Sequence, residues 1–118
     1  MSRIATRSRT TAETSIELTV NLDGSGQCDV STGIPFYDHM LSQVGKHGGF
    51  DLRIAAKGDL HIDTHHTIED VAITLGEAIR EALGDKTGVR RFASGLYPLD
   101  EALIEIAWDI SGLSLIHI

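Results

Sequence analysis

The sequence predicts an α+β protein in two layers, a small mixed sheet with two helices on one face. Three observations predict it. One segment alternates apolar and polar residues at period two, and a longer one carries apolar residues at helical spacing. The chain is also 42% hydrophobic over 118 residues, enough for one compact core.

Arg3 to Arg9 is rich in Arg, Ser and Thr, as transit peptides are, yet it runs straight into a strand pattern and is read as the first strand. From Ser15 to Leu22, the residues Ile16, Leu18, Val20 and Leu22 fall on one face of a strand. Asp23-Gly24-Ser25-Gly26 ends it as a turn, and a short strand follows at Cys28 to Ser31. Pro35 opens a helix, because proline suits the first helical position. Phe36, Met40 and Val44, four apart, predict its buried stripe, and Gly48-Gly49 closes it.

Phe50 to Ala56 reads as a strand with Leu52, Ile54 and Ala56 on one side. The longest helix runs from about Thr64 to Leu83, capped by Asp63 or Thr64, with Ile68, Val71, Ala72, Leu75, Ile79 and Ala82 on its inner face and Gly84 as its stop. Two strands follow, near Arg91 to Tyr97 and Glu101 to Ile110. Their pattern repeats the opening of the chain at an offset of 88 residues, which sets Glu13 on Glu101, Ile16 on Ile104, Leu18 on Ile106, Val20 on Trp108 and Gly24 on Gly112. The organisation expected is therefore a first sheet-and-helix repeat at 1–88 and the start of a second at 89–112.

A net charge of −7 with ten scattered basic residues excludes a phosphate-backbone binder, so no nucleic-acid partner is expected. Cys28 is the only cysteine, which rules out an internal disulfide; its expected role is a small buried strand residue. No apolar run approaches the roughly 20 residues that span a bilayer, and the N-terminus lacks the build of a signal peptide. The expectation is a soluble, cytoplasmic chain with no membrane partner.

The chemistry concentrates in His65-His66-Thr67-Ile68-Glu69-Asp70, at the start of the long helix. His65 and Glu69 are i, i+4 neighbours able to grip one cation. His66 is turned about 100° from His65 and serves a different point in space, so adjacent histidines suit two ions better than one. Asp70 is better placed to support or cap than to coordinate. An isolated His-His pair is more often a solvated surface feature. Here a carboxylate at ligand spacing and six histidines among 118 residues shift the balance to metal binding.

A second constellation is Gly33-Ile34-Pro35-Phe36-Tyr37-Asp38-His39-Met40-Leu41, and on its helix His39, Gln43 and His47 recur every four residues. One of these is a candidate ligand and another a candidate substrate contact. The competing reading is a solvated face, with His47 meeting the helix dipole. His61 is read as structural, and His117 falls in the terminal segment discussed below.

The pairing of a Gly-x-Pro-Phe-x-Asp-His-Met segment with a downstream His-His-Thr-x-Glu-Asp segment resembles the imidazoleglycerol-phosphate dehydratases, and the likeness runs from about Arg3 to Gly112. The resemblance implies a duplicated fold of the ribosomal protein S5 domain 2-like type. It implies a hydro-lyase of histidine biosynthesis that converts D-erythro-imidazole-glycerol phosphate to imidazole-acetol phosphate with two manganese ions, in a large homo-oligomer. Carried over residue by residue, it places His65 and Glu69 on one ion and His39 and His66 on the other. His65, Glu69 and Glu13 match catalytic positions, with Glu13 a candidate for moving the proton. All of these together with Gln43 and His47 match the substrate-lining set, and Arg91 matches a phosphate-binding arginine. Without the resemblance, Glu13 reads as an exposed strand-end carboxylate and Arg90 and Arg91 as a solvated turn.

The sequence departs from the family after Gly112. Position 113 is Leu where the family carries an arginine, and 113–118 is read as a segment foreign to the fold. Two other readings compete: a non-catalytic metal-binding or assembly module, and an unrelated metallohydrolase. Glu13 and Arg91 discriminate against the first, since metal storage has no use for them.

Overall fold

The computed structural model describes residues 2–112, so His117 and the segment 113–118 lie outside the described residues. Two compact units divide the chain, Met1–Asp85 and Lys86–Ile118.

In the first unit, β1 (Ile4–Thr10), β2 (Thr14–Asn21), β3 (Cys28–Ser31) and β4 (Asp51–Gly58) form one mixed sheet, joined by the helices α1 (Pro35–Gly48) and α2 (His65–Leu83). The strand order is β1-β2-β4-β3, with β3 parallel to β4 and the other neighbours antiparallel. The period-two alternation of β2 does what it predicts: Ile16, Leu18, Val20 and Leu22 are buried, and Leu52 and Ile54 of β4 join them. Both helices contribute to that same cluster, α1 through Leu41 and α2 through Val71, Ala78 and Ala82. Cys28 is half-buried rather than fully enclosed, its thiol directed at the Ser42 carbonyl 3.5 Å away.

The inner face of α1 is not the predicted one. Phe36, Met40 and Val44 are 73%, 45% and 52% exposed, and the residues that meet the sheet are Leu41 and Gly45, with Tyr37 packed at the edge of the core. The reason is steric. A Cβ on Gly45 would collide with the Cys28 sulfur and stand 3.1 Å from the Leu52 side chain, so the helix approaches β3 and β4 along the one face that carries no side chain there. Apolar residues occur on both faces of α1, and periodicity alone did not separate them. Gly49, at φ 72, ends the helix in the left-handed conformation that glycine adopts without a Cβ penalty.

The inner face of α2 is also shifted, by about one residue. Its buried positions are Thr67, Asp70, Val71, Thr74, Ala78 and Ala82, with Leu75 and Ile79 half-buried, while Ile68 and Ala72 are exposed. Three of these positions are polar, which an apolar-periodicity reading passes over. Thr64 occupies the N-cap position without a side-chain cap; the Asp63 carboxylate instead accepts from the Thr64 backbone N–H at 2.6 Å.

The described part of the second unit is a hairpin, β5 (Phe92–Leu99) against β6 (Ala102–Asp109). Adding 88 to each pair of the β1–β2 ladder reproduces the β5–β6 ladder: Ile4↔Asn21 becomes Phe92↔Asp109, and Ala5↔Val20 becomes Ala93↔Trp108. The counterparts of the buried β2 residues, Ile104, Ile106 and Trp108, are exposed. Among the described residues, no helix is long and apolar enough to cross a membrane.

Candidate functional site

The first turn of α2 carries the site. Because the helix starts at His65, His65 and Glu69 lie one above the other, and His65 Nε2 stands 2.9 Å from Glu69 Oε2. Both side chains are more than half exposed, so as a plain ion pair they contribute little to stability. Two ligands at about 2.1 Å from one cation and at right angles to each other stand roughly 3 Å apart, so the pair is also spaced as neighbouring ligands of one ion.

His66 points elsewhere, its ring 5.6 Å from that of His65 between centroids and nearly perpendicular to it. Its Nδ1 lies 2.8 Å from Asp59 Oδ2. With the proton on Nδ1 donated to that carboxylate, Nε2 keeps a lone pair for a metal, the arrangement in which a carboxylate orients a ligating imidazole. The Asp59 side chain is mostly buried and its Oδ1 has no hydrogen-bond partner among the described residues. A carboxylate so placed favours positive charge on the ring beside it. The hydrogen bond that His66 donates to Asp59 accordingly raises the His66 pKa above its ordinary value of 6.5, with smaller contributions from the charges of Asp59, Glu13 and Asp70.

The sign of that shift defines a test. A raised pKa gives stability that is complete below the unfolded value near 6.5 and is lost as pH climbs through the folded value. Asp59→Asn in the metal-free chain is expected to move the His66 midpoint down toward 6.5 in an NMR titration, with its stability deficit shrinking as pH rises. An unmoved midpoint would show that Asp59 does not hold this ring. Asp59 escaped the sequence reading because it sits in a loop seven residues upstream, where it is one of two acidic residues, with Asp63, in the approach to the histidine pair.

Gly58 permits this approach. A Cβ there would meet the Thr67 hydroxyl and stand 3.3 Å from Thr14, so β4 passes close against the first turn of α2 and delivers Asp59 beside His66. Glu13, in the turn between β1 and β2, lines a shallow cleft of about 420 Å³ with Thr11, Lys57, Asp59 and His61. His61, read from the sequence as structural, is exposed and lines this cleft.

The remaining predicted residues are placed as follows. On α1, His39 is exposed, and His47 Nε2 is 2.8 Å from Gln43 Oε1, one turn away on the same stripe. Arg91 lies in the second unit, where its Nε donates to Asp109 at 2.6 Å and its guanidinium sits 5.0 Å from the centroid of the Phe92 ring. The structure pairs His65 with Glu69 and His66 with Asp59. It does not join His39 or His66 to the first pair, and among the described residues no three His, Cys, Asp or Glu side chains converge on one point. The donor chemistry fits a divalent metal, but as parts of coordination shells rather than a complete one.

Comparison with known proteins gives one consistent result. The family model for imidazoleglycerol-phosphate dehydratase matches residues 32–118. The chain is 58% identical over 110 residues to the imidazoleglycerol-phosphate dehydratase of Acidothermus cellulolyticus, covering 93% of this chain and 53% of that protein. It is 61% identical over 112 residues to that of Thermobifida fusca, covering 95% and 57%. Among solved structures, the dehydratase of Staphylococcus aureus superposes with a TM-score of 0.74 at 29% identity, covering 92% of this chain and 58% of that one. The Pyrococcus furiosus enzyme, solved in complex with (S)-C348, gives 0.74 at 38% identity, covering 89% and 55%. This chain therefore spans about half the length of the curated relatives it matches. With the model matched over most of its length and the α+β architecture shared with those structures, the chain belongs to the imidazoleglycerol-phosphate dehydratase family.

Proposed function

We propose that this chain supplies one part of a two-metal site that dehydrates D-erythro-imidazole-glycerol phosphate to imidazole-acetol phosphate in histidine biosynthesis, in the cytoplasm. The observation that carries the proposal is the first turn of α2. There, a His65–Glu69 pair at ligand spacing adjoins a His66 ring oriented by Asp59. His65 and Glu69 would hold one manganese ion, and His66 with His39 of α1 would contribute to the other. The remaining ligands come from the family length this chain does not span, or from neighbouring subunits of a large homo-oligomer. The shared 88-residue offset of the two hairpin ladders supports a duplicated fold whose second repeat begins at β5.

Bound divalent ions supply Lewis acidity that stabilises electron density building up on the substrate's imidazole ring. The chain's own residues do the rest. The Glu13 carboxylate has no hydrogen-bond partner among the described residues and is exposed at the rim of the cleft, so it is free to accept the proton removed from the substrate carbon. Gln43 and His47 present a polar stripe for the substrate's hydroxyl groups. Arg91 spends its Nε and one terminal N–H on Asp109, which leaves the other donors of its fork for a phosphate and fixes their direction.

The 118-residue chain alone, supplied with manganese, is expected to turn over at least about a hundredfold more slowly than the full-length Thermobifida fusca relative, because no complete coordination shell forms among the described residues. Fusing the remaining family length after Gly112 should restore imidazole-acetol phosphate formation. Metal uptake by the fused chain without that product would favour the metal-binding module, and turnover of other substrates alone would favour a metallohydrolase.

A further inference from the structure

The turn that carries Glu13 is tied to α2 by a buried carboxylate for which the reaction has no direct use. Asp70, 9% exposed, follows Glu69 on the helix that bears the histidine pair. Its Oδ2 accepts from the Thr14 hydroxyl at 2.5 Å and from the Thr11 hydroxyl at 3.4 Å, and its Oδ1 accepts from Arg9 Nε at 3.3 Å. The Thr11 oxygen in turn accepts the backbone N–H of Glu13 at 3.1 Å and that of Thr14 at 3.0 Å.

The direction of these protons follows from the chemistry of the groups. An ionised carboxylate only accepts, so the Thr14 proton points at Asp70. The Thr11 proton goes to Asp70 or to the Thr14 oxygen 3.1 Å away, and either choice leaves the lone pairs of Thr11 aimed at the two backbone donors. The Glu13 side chain has no hydrogen-bond or ion-pair partner among the described residues, so its position is set by its backbone. We propose that Asp70 is a positioning residue for Glu13, acting through the hydroxyl groups of Thr11 and Thr14 to fix the β1–β2 turn against the metal-binding turn of α2. The role rests on the dehydration reading only for its effect on turnover; the tethering of the turn is independent of it.

The link spans 56 residues of sequence between Thr14 and Asp70, and it joins the candidate base to the same helical turn as His66 and Glu69. The backbone at Glu13 is therefore tied to the helical turn that carries His66 and Glu69. Loss of the link would let the base wander while leaving the histidines in place.

The experiment uses Thr11→Val, which keeps the shape and removes the hydroxyl, Thr11→Ser, which restores it, and Asp70→Asn, which replaces one acceptor oxygen with a donor. In the 118-residue chain without metal, amide hydrogen exchange at Glu13 and Thr14 is expected to rise about tenfold or more in Thr11→Val and Asp70→Asn and to return in Thr11→Ser, with Thr74 unchanged. In a chain extended to family length, Thr11→Val should lower kcat by about 10- to 100-fold with KM and manganese affinity nearly unchanged. Exchange rates at Glu13 that match the parent in both variants would overturn the proposal, as would equal losses of manganese affinity and kcat. If Asp70→Asn fails to fold, the Thr11 pair decides alone. Accelerated exchange beside a Glu13→Gln variant of full activity would sink the base role assigned above and leave the tether standing.

Discussion

Glu69→Ala, introduced into a chain extended to family length, is expected to lower kcat for dehydration by about a thousandfold. Metal-ion activation contributes several kcal/mol to such reactions, and each ~1.4 kcal/mol is a factor of ten. Glu69 Oε2 is the partner of His65 Nε2 at 2.9 Å, so its removal leaves that ion one protein ligand from this turn instead of two. Steady-state assay at saturating manganese measures the effect. Glu81→Ala on the same helix provides the control: among the described residues the Glu81 side chain meets the exposed Arg7 at 3.4 Å, and its loss should leave turnover within about twofold. Equal activity of the two variants would remove Glu69 from the site.

Ile54→Ala is expected to have the largest effect on stability. Ile54 is 1% exposed at the centre of β4, flanked by β2 and β3 and covered by the helices. Truncating a buried isoleucine to alanine costs about 2–5 kcal/mol, the transfer term plus the cavity that remains. For a unit of this size that corresponds to a fall in Tm of about 10–40 °C, readable by far-UV circular dichroism of the 118-residue chain. Trp108→Ala makes the contrast. Trp108 is 60% exposed on β6 although it aligns with buried Val20, so its loss should shift Tm by no more than a degree or two.

The two variants also mark where the sequence was legible. The β2 alternation and the β4 pattern carry one answer each, because a strand offers only two faces and the apolar set occupies one. On α1 the apolar residues fall on both sides of the helix. What selected the inner side was the missing Cβ of Gly45 beside Cys28, a contact made between segments 17 residues apart. On α2 the inner face includes Thr67, Asp70 and Thr74, and the carboxylate of Asp70 is held there by partners in β1, β2 and the turn between them. Periodicity has no way to anticipate such partners.

The site divides in the same way. His65 and Glu69 were legible because helical spacing alone brings them together, and the divergence of His66 followed from the rotation per residue. Asp59 and the hydroxyl link to Glu13 were not legible, since both arise from contacts across the fold rather than along one element. The roles of Glu13 and Arg91 came from the family resemblance; the residues alone favoured an exposed carboxylate and a solvated turn. The comparisons establish the family.

A two-metal site on this turn requires adjacent histidines to serve different ions. Manganese stoichiometry, measured by electron paramagnetic resonance on the extended, assembled protein, tests this most directly. Two ions per site are expected in the parent, one in His65→Ala and one in His66→Ala, with the two variants losing distinguishable signals. Full occupancy in both variants, or loss of the same ion from each, would contradict it.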